Sequence, residues 1–353
     1  MDISILSQFN PWWLKKSVPQ NFLGKYKRPG FELAKKYLDK KFIVLLYGLR
    51  RVGKTTIIYQ IIQYLIDKNI NPTNIFYFSF DEQAANINSA IKLYEEKIIK
   101  TIISERQEKL YFFFDEIQKS SDWQNKIKLL YDLNPNLKIF ISGSSSLTLQ
   151  KKSTESLAGR VIDILVEPLD FAEFILWKNI QLDLSRPDLS QTTAQPLLMD
   201  FLRKGGFPEI ILEEQDELIK NYLKNTLLER IIYRDIPQEF SLKDIELLKT
   251  LLELFAKEPG MIVNIERLSR DLNRSKVTIA NYLEYLKSSL LLIEVKNLRP
   301  GFLTSSRKAK KIYPAVPAFS FIYQPDFYSE VNLQKTAETA VAQHMKAQYY
   351  YRD

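Results

Sequence analysis

Gly48-Leu49-Arg50-Arg51-Val52-Gly53-Lys54-Thr55, followed by Thr56, fits the pattern G-x-x-x-x-G-K-[ST] in full. The spacing has a chemical reason. The two glycines let the intervening backbone wrap so that its N–H groups converge on phosphate oxygens, and the helix that follows adds its N-terminal dipole. Lys54 then reaches the β- and γ-phosphates, and the Thr55 hydroxyl completes a Mg²⁺ shell. Further on, Lys109-Leu110-Tyr111-Phe112-Phe113-Phe114 runs into Asp115-Glu116. A buried strand ending this way delivers Asp115 to its C-terminal edge, where it holds Mg²⁺ through water, and places Glu116 to polarise an attacking water. On its own the acidic pair reads equally well as a helix N-cap. Behind a complete phosphate loop it implies binding and hydrolysis of a nucleoside triphosphate.

These groups need a scaffold that holds them at one edge. Five β-rich runs, Phe42–Tyr47, Ile75–Phe80, Leu110–Asp115, Leu137–Ser142 and Val161–Val166, alternate with helical patterns such as Thr56–Ile66. That alternation predicts an α/β fold with a five-stranded parallel, doubly wound sheet, buried on both faces. Ahead of it, Asn10-Pro11-Trp12-Trp13 and a helical stretch Phe31–Lys40 read as a lead-in over residues 1–40. The core occupies 41–167. After Pro168 the strand texture stops, and 168–240 reads as a helical lid, broken at Asn179–Pro196 and at Gly205-Gly206-Phe207-Pro208. Over 241–313 come helix Leu242–Lys257, a Pro259-Gly260 stop, helix Ile265–Leu272, a turn at Asn273-Arg274 and helix Val277–Leu290. Two β-like runs, Leu291–Asn297 and Lys311–Tyr313, flank Pro300-Gly301. This is the layout of a winged helix-turn-helix. Residues 314–353, with a helical stretch Leu333–Met345, form a last segment.

Composition removes several alternatives. The 353 residues contain no cysteine, which excludes a disulfide scaffold, thiol catalysis and a cysteine zinc site. The one histidine, His344, excludes a multi-histidine metal centre and reads as a surface or partly packed residue. No apolar run approaches the roughly 18 residues that cross a bilayer, and Met1-Asp2-Ile3-Ser4 lacks the basic and apolar regions of a signal peptide. The expectation is a cytoplasmic protein without a membrane partner.

The net charge of +8 is concentrated: residues 265–311 carry eleven Lys/Arg against four Asp/Glu. In the reading helix, Val277, Ala280, Leu283, Leu286 and Leu290 share an apolar stripe, leaving Arg274, Lys276, Asn281 and Lys287 outside. Arg299, Arg307, Lys308, Lys310 and Lys311 make a basic wing. Double-stranded DNA, bound through its phosphates, is one partner that such a face fits. A protein partner is the other, since winged helices also serve as rigid interaction modules and Glu284-Tyr285 opposes DNA.

The extra strand Ile75–Phe80 between the loop and the acidic pair resembles the additional-strand, catalytic-glutamate NTPases that include AAA+ proteins. Asp115-Glu116-Ile117-Gln118 with Trp123, Ser142-Gly143-Ser144-Ser145-Ser146, Leu157-Ala158-Gly159-Arg160 and Pro168-Leu169-x-Phe171-x-Glu173-Phe174 follow in order. Gly205-Gly206-Phe207-Pro208-Glu209 and Arg234-Asp235-Ile236 complete the set. Together they resemble archaeal/bacterial AAA-type ATPases with a C-terminal domain of unknown function. The resemblance implies ATP as the nucleotide, and Ser142 or Ser144 as a sensor of the γ-phosphate or the attacking water, against a plain turn-forming role. It implies Arg160 as an arginine finger serving a neighbouring copy in a homo-oligomer, against an ordinary surface salt bridge. It implies Pro208 packing on the adenine, against a helix C-cap and break at Gly205-Gly206. Family members usually continue into a nuclease-like end. Glu338 matches its first acidic residue, and with no second one in the chain no nuclease activity is expected. A small-molecule kinase uses the same loop, but no acceptor site is legible.

Overall fold

The apolar runs become five parallel strands: β1 (Ile43–Tyr47), β2 (Ile75–Ser79), β3 (Leu110–Asp115), β4 (Leu137–Gly143) and β5 (Val161–Leu165). Their order is β2-β3-β4-β1-β5. Every residue of β1 to β4 is buried, which explains why these runs are continuously apolar instead of alternating. Phe113 stacks on Phe140 across β3 and β4 with ring centroids 4.9 Å apart. The computed structural model describes residues 2–81, 86–144, 157–182, 187–296 and 310–349. They form two compact units, Met1–Gly48 with Gly53–Val166, and Leu49–Val52 with Glu167–Asp353.

The first unit adds helices α1 (Ile3–Phe9), α2 (Trp12–Lys15), α3 (Pro29–Lys35), α4 (Lys54–Asp67), α5 (Ile87–Tyr94) and α6 (Trp123–Leu133). The N-terminal stretch is part of this unit's structure. β2 is an edge strand, with backbone groups that need partners. The Asn10 amide supplies them: it donates to Tyr77 O at 2.9 Å and accepts from Tyr77 N at 2.7 Å. The Trp12 and Trp13 indoles both donate to Ile75 O, at 3.1 and 2.8 Å. Three side chains thus do the work of a sixth strand.

The second unit holds α7 (Phe171–Trp177), α8 (Pro187–Lys204), α9 (Asp216–Asn221), α10 (Ile236–Phe240), α11 (Ile245–Lys257), β6 (Met261–Ile262), α12 (Ile265–Asp271) and α13 (Lys276–Ser288). Then come β7 (Leu292–Lys296), β8 (Lys310–Pro314), α14 (Ala318–Tyr323) and α15 (Glu330–Tyr349). β6, β8 and β7 form an antiparallel sheet in that order. The two-residue β6 is too short to leave a periodic signal in the sequence. Pro196, expected in a break, lies inside α8. The helix ends instead at Gly205-Gly206: Gly206 has φ 102°, and a Cβ there would come within 2.5 Å of Val316 Cγ1.

His344 is a packing residue of this unit. Its Nδ1 donates to Ala340 O at 2.7 Å, so its Nε2 accepts, from Phe171 N at the start of α7 (3.0 Å). The buried stripe of α13 is Ile279, Tyr282, Leu283 and Leu286. Val277, expected on that stripe, is 68% exposed. It occupies the first turn, ahead of the packed face. No helix among the described residues is long and apolar enough to cross a membrane.

Candidate functional site

β1 ends at Tyr47 and α4 begins at Lys54, so the phosphate-loop motif spans a strand-to-helix turn. Gly53 has φ 96°, a conformation that a side chain resists, and it hands the chain directly into the first turn of α4. Lys54 is buried, and its Nζ donates to Gly48 O at 3.1 Å. The ammonium is therefore folded back over the loop.

The neighbouring chemistry centres on Asp115, buried at the C-terminal end of β3. Thr55 Oγ1 donates to its Oδ2 at 2.7 Å, and Tyr77 Oη donates to the same oxygen at 3.0 Å. Ser142 Oγ, fully buried on β4, hydrogen-bonds Oδ1. The three hydroxyls come from α4, β2 and β4, so the sheet order that flanks β3 with β2 and β4 is what assembles them. Burial, then the Asp115 charge, pushes the Tyr77 phenol well above its ordinary pKa and keeps it a donor. Hard oxygens on Thr55 and Asp115 suit Mg²⁺, which is typically held by one or two carboxylates plus substrate phosphates. No cluster of three or more acidic, His or Cys ligands occurs among the described residues.

Glu116 follows in a left-handed conformation, φ 54°. Its N–H donates to Ser142 Oγ at 3.3 Å, and its Oε2 accepts from Gln118 Nε2 at 2.6 Å. Both Asp115 and Glu116 line a cleft of roughly 580 Å³, whose other walls include Ile5, Gln8, Phe9 and Phe22 from the N-terminal stretch. Tyr77 and Gln118 were missed as site residues by sequence reasoning. Tyr77 is indistinguishable from any aromatic of a buried strand, while Gln118 was visible only as a letter of the family pattern.

Other candidate residues have different surroundings. Arg50 and Arg51 group with the second unit, where Arg50 makes a two-pronged ion pair with Asp235 and Arg51 pairs with Glu209. Leu49 and Val52 are buried. Pro208 opens a one-turn 3₁₀ segment in the second unit. Arg160 precedes β5 at the sheet's N-terminal edge, opposite the end that carries Lys54 and Glu116. There it pairs with Asp132 through Nε at 3.0 Å and Nη2 at 3.3 Å. Ser144 lies just past β4 and is half-buried. In the second unit Arg274 pairs with Asp244, Lys276 with Glu266, and Lys287 with Glu284 and Glu294. Asn281 is exposed. Arg307 and Lys308, with Arg299, Ser145 and Ser146, lie outside the described residues. Glu338 accepts from Tyr313 Oη at 3.0 Å and pairs with Lys311.

Residues 40–175 match the family model described as an AAA domain. The structure is similar to the Walker-type ATPase paby2304 of Pyrococcus abyssi, with a TM-score of 0.50 at 17% identity over 85% of this chain and 96% of that one. The fold is that of an AAA-type P-loop ATPase. Behind the AAA-type region, residues 195–315 match a domain of unknown function (DUF8612). An uncharacterized protein of Methanocaldococcus jannaschii, MJ1544, is 33% identical over 277 residues, 77% of this chain and 60% of its own length. An uncharacterized protein of Haemophilus influenzae is 29% identical over 284 residues, 77% of this chain and 67% of its own length. The chain thus spans about 60% of the length of the M. jannaschii relative.

Proposed function

We propose that this chain binds ATP with Mg²⁺ and hydrolyses it, using the energy to drive or switch a conformational change. The observation that carries the reading is the convergence of Lys54, Thr55, Asp115, Ser142 and Glu116 at the C-terminal ends of β1, β3 and β4. ATP over GTP rests on the match to the AAA domain. Backbone N–H groups from Gly48 to Thr56 cradle the phosphates, and Lys54 turns from Gly48 O to the β- and γ-oxygens. Thr55 Oγ1 and Asp115 would hold Mg²⁺, which when bound would supply positive charge against the phosphate oxygens. Glu116 accepts a proton from the attacking water as its oxygen bonds to the γ-phosphorus and the bond to ADP breaks. Ser142 keeps Asp115 and the Glu116 backbone in register. Phosphoryl transfer of this kind depends on positioning and charge more than on covalent chemistry.

The module of α11, α12, α13 and the β6-β8-β7 sheet is, in this reading, a winged helix. DNA contact through Arg274, Lys276, Asn281, Lys287, Arg307 and Lys308 is the first use proposed for it. A slow nucleotide switch that grips a protein partner is the second, favoured by the ion pairs that already engage Arg274, Lys276 and Lys287. Arg160 serves a neighbouring copy only by leaving Asp132. If it does, Arg160→Ala abolishes turnover while sparing nucleotide binding, and loss of both removes that role.

The deciding experiment is steady-state ATP hydrolysis by wild type and Glu116→Gln, with and without duplex DNA, at several salt concentrations. Turnover that the substitution abolishes supports the ATPase. Stimulation by DNA that fades with salt supports the nucleic-acid reading. Tight ATP binding with negligible turnover throughout supports the switch.

A further inference from the structure

Gln118 stands two residues beyond Glu116, on the one-turn 3₁₀ segment Ile117–Lys119. Its amide has a single orientation compatible with Glu116, because a carboxylate only accepts. Nε2 must face Glu116 Oε2, and the 2.6 Å contact is short, as expected for a donor meeting a charged acceptor. That orientation strands the other end of the amide: Gln118 Oε1 is buried without a hydrogen-bond partner. A side chain selected for packing alone would avoid this, since methionine has nearly the same shape and no carbonyl to desolvate. The backbone tells the same story. Glu116 is held at φ 54°, which a non-glycine residue adopts at a cost, and the Ser142 hydroxyl accepts its N–H. Backbone and one carboxylate oxygen are both fixed, and Glu116 Oε1 has no hydrogen-bond partner among the described residues.

We infer that Gln118 is a positioning residue for hydrolysis: it pins Glu116 Oε2 and so presents Oε1 to the attacking water. The inference rests on the ATPase reading above and names a residue which that reading does not require. In the reaction the water's proton passes to Glu116 Oε1, its oxygen joins the γ-phosphorus, and ADP leaves. Gln118 exchanges no proton and donates the same N–H throughout.

The test compares wild type, Gln118→Met, Glu116→Gln and the double variant in the full chain, reading melting temperature, ATP dissociation constant and kcat. Wild-type turnover that Glu116→Gln abolishes secures the underlying reading first. Wild-type turnover that is absent, or indifferent to Glu116→Gln, overturns that reading and the inference with it. Given the turnover, Gln118→Met is expected to melt at or above the wild-type temperature and to bind ATP unchanged. Its kcat should fall by about 10- to 100-fold, the upper end being the loss that a 1 Å misplacement of a catalytic group can bring. In the Glu116→Gln background the same change should cost nothing further, because the group it positions is gone. An unchanged kcat overturns the inference. So does a fall in kcat that tracks a lower melting temperature, or one that persists in the double variant.

Discussion

At Asp115 three hydroxyls from three different elements meet one buried carboxylate, whereas in the second unit Arg274, Lys276 and Lys287 each meet an acid on a neighbouring turn or strand. The first cluster is buried and its geometry is imposed by the sheet. The second lies largely at the surface, where ion pairs contribute little and exchange readily with solvent or a ligand. A buried polar network specifies a chemistry, because each member is costly to move. A paired basic face specifies only an electrostatic readiness, which a partner with enough charge must claim from the acids already present.

The largest effects are expected where the buried network touches the reaction. Glu116→Gln should lower kcat by about 10²- to 10⁴-fold with ATP affinity retained, the range for removing a general base. Lys54→Ala should lose ATP binding as well, measured by equilibrium titration. If both variants turn over ATP normally, the contrast drawn at Asp115 has no functional content.

Lys138 sharpens the comparison from another side, as a buried cation of the first unit that forms no salt bridge with an acid among the described residues. It sits on β4, only 3% exposed, and donates to Lys40 O at 3.0 Å and Phe42 O at 2.5 Å. Burial, then the nearby Lys109 ammonium, pushes its pKa down to about 7. Between about pH 7 and 10.5 the unfolded chain therefore holds a proton here that the folded chain has released, so folding grows more stable as pH rises across that window. Urea unfolding of wild type and Lys138→Met at pH 7, 8.5 and 10 should show the difference moving in favour of wild type by about 1–3 kcal/mol. A difference that does not move with pH removes the buried-ammonium penalty from the account. A smaller effect belongs to Tyr77→Phe, which keeps the ring and deletes one donor to Asp115. It should raise the Mg²⁺ concentration for half-maximal turnover by about 3- to 10-fold, with the melting temperature barely changed.

Much of this site is written in local pattern, and the remainder is written in topology. The run Gly48 to Thr55 fixes its own geometry through two glycines and a helix start, and Leu110–Asp115 must be a buried strand because nothing else hides so many aromatics before two acids. Tyr77 reaches Asp115 only because β2 lies beside β3, and no spacing rule carries that adjacency. Asn10, Trp12 and Trp13 look like a lead-in because their partners on β2 are more than sixty residues away. The basic face illustrates the opposite error. Counting charges over 265–311 finds the excess, but Asp244 lies outside the window, and the pairings within it, such as Lys276 with Glu266, need the folded turn to be seen.

That pairing yields the smallest and most discriminating prediction. Glu266 stands in the first turn of α12, exposed, and forms an ion pair with Lys276 at the start of α13. Glu266→Gln removes the acid, keeps the length of the side chain and leaves the Asn264 cap of α12 in place. If the module binds duplex DNA, the freed ammonium adds up to one phosphate contact. Duplex affinity at low salt should then rise about 2- to 5-fold, and the slope of log K against log salt should steepen by up to about 0.9. Arg274 offers an internal control, since Asp244→Asn loosens its ion pair while an asparagine still caps α11. Gains from both substitutions place the phosphate-facing surface across the α12–α13 turn. No gain from either, with duplex binding undetected at low salt, leaves the ion pairs as part of a surface shaped for a protein.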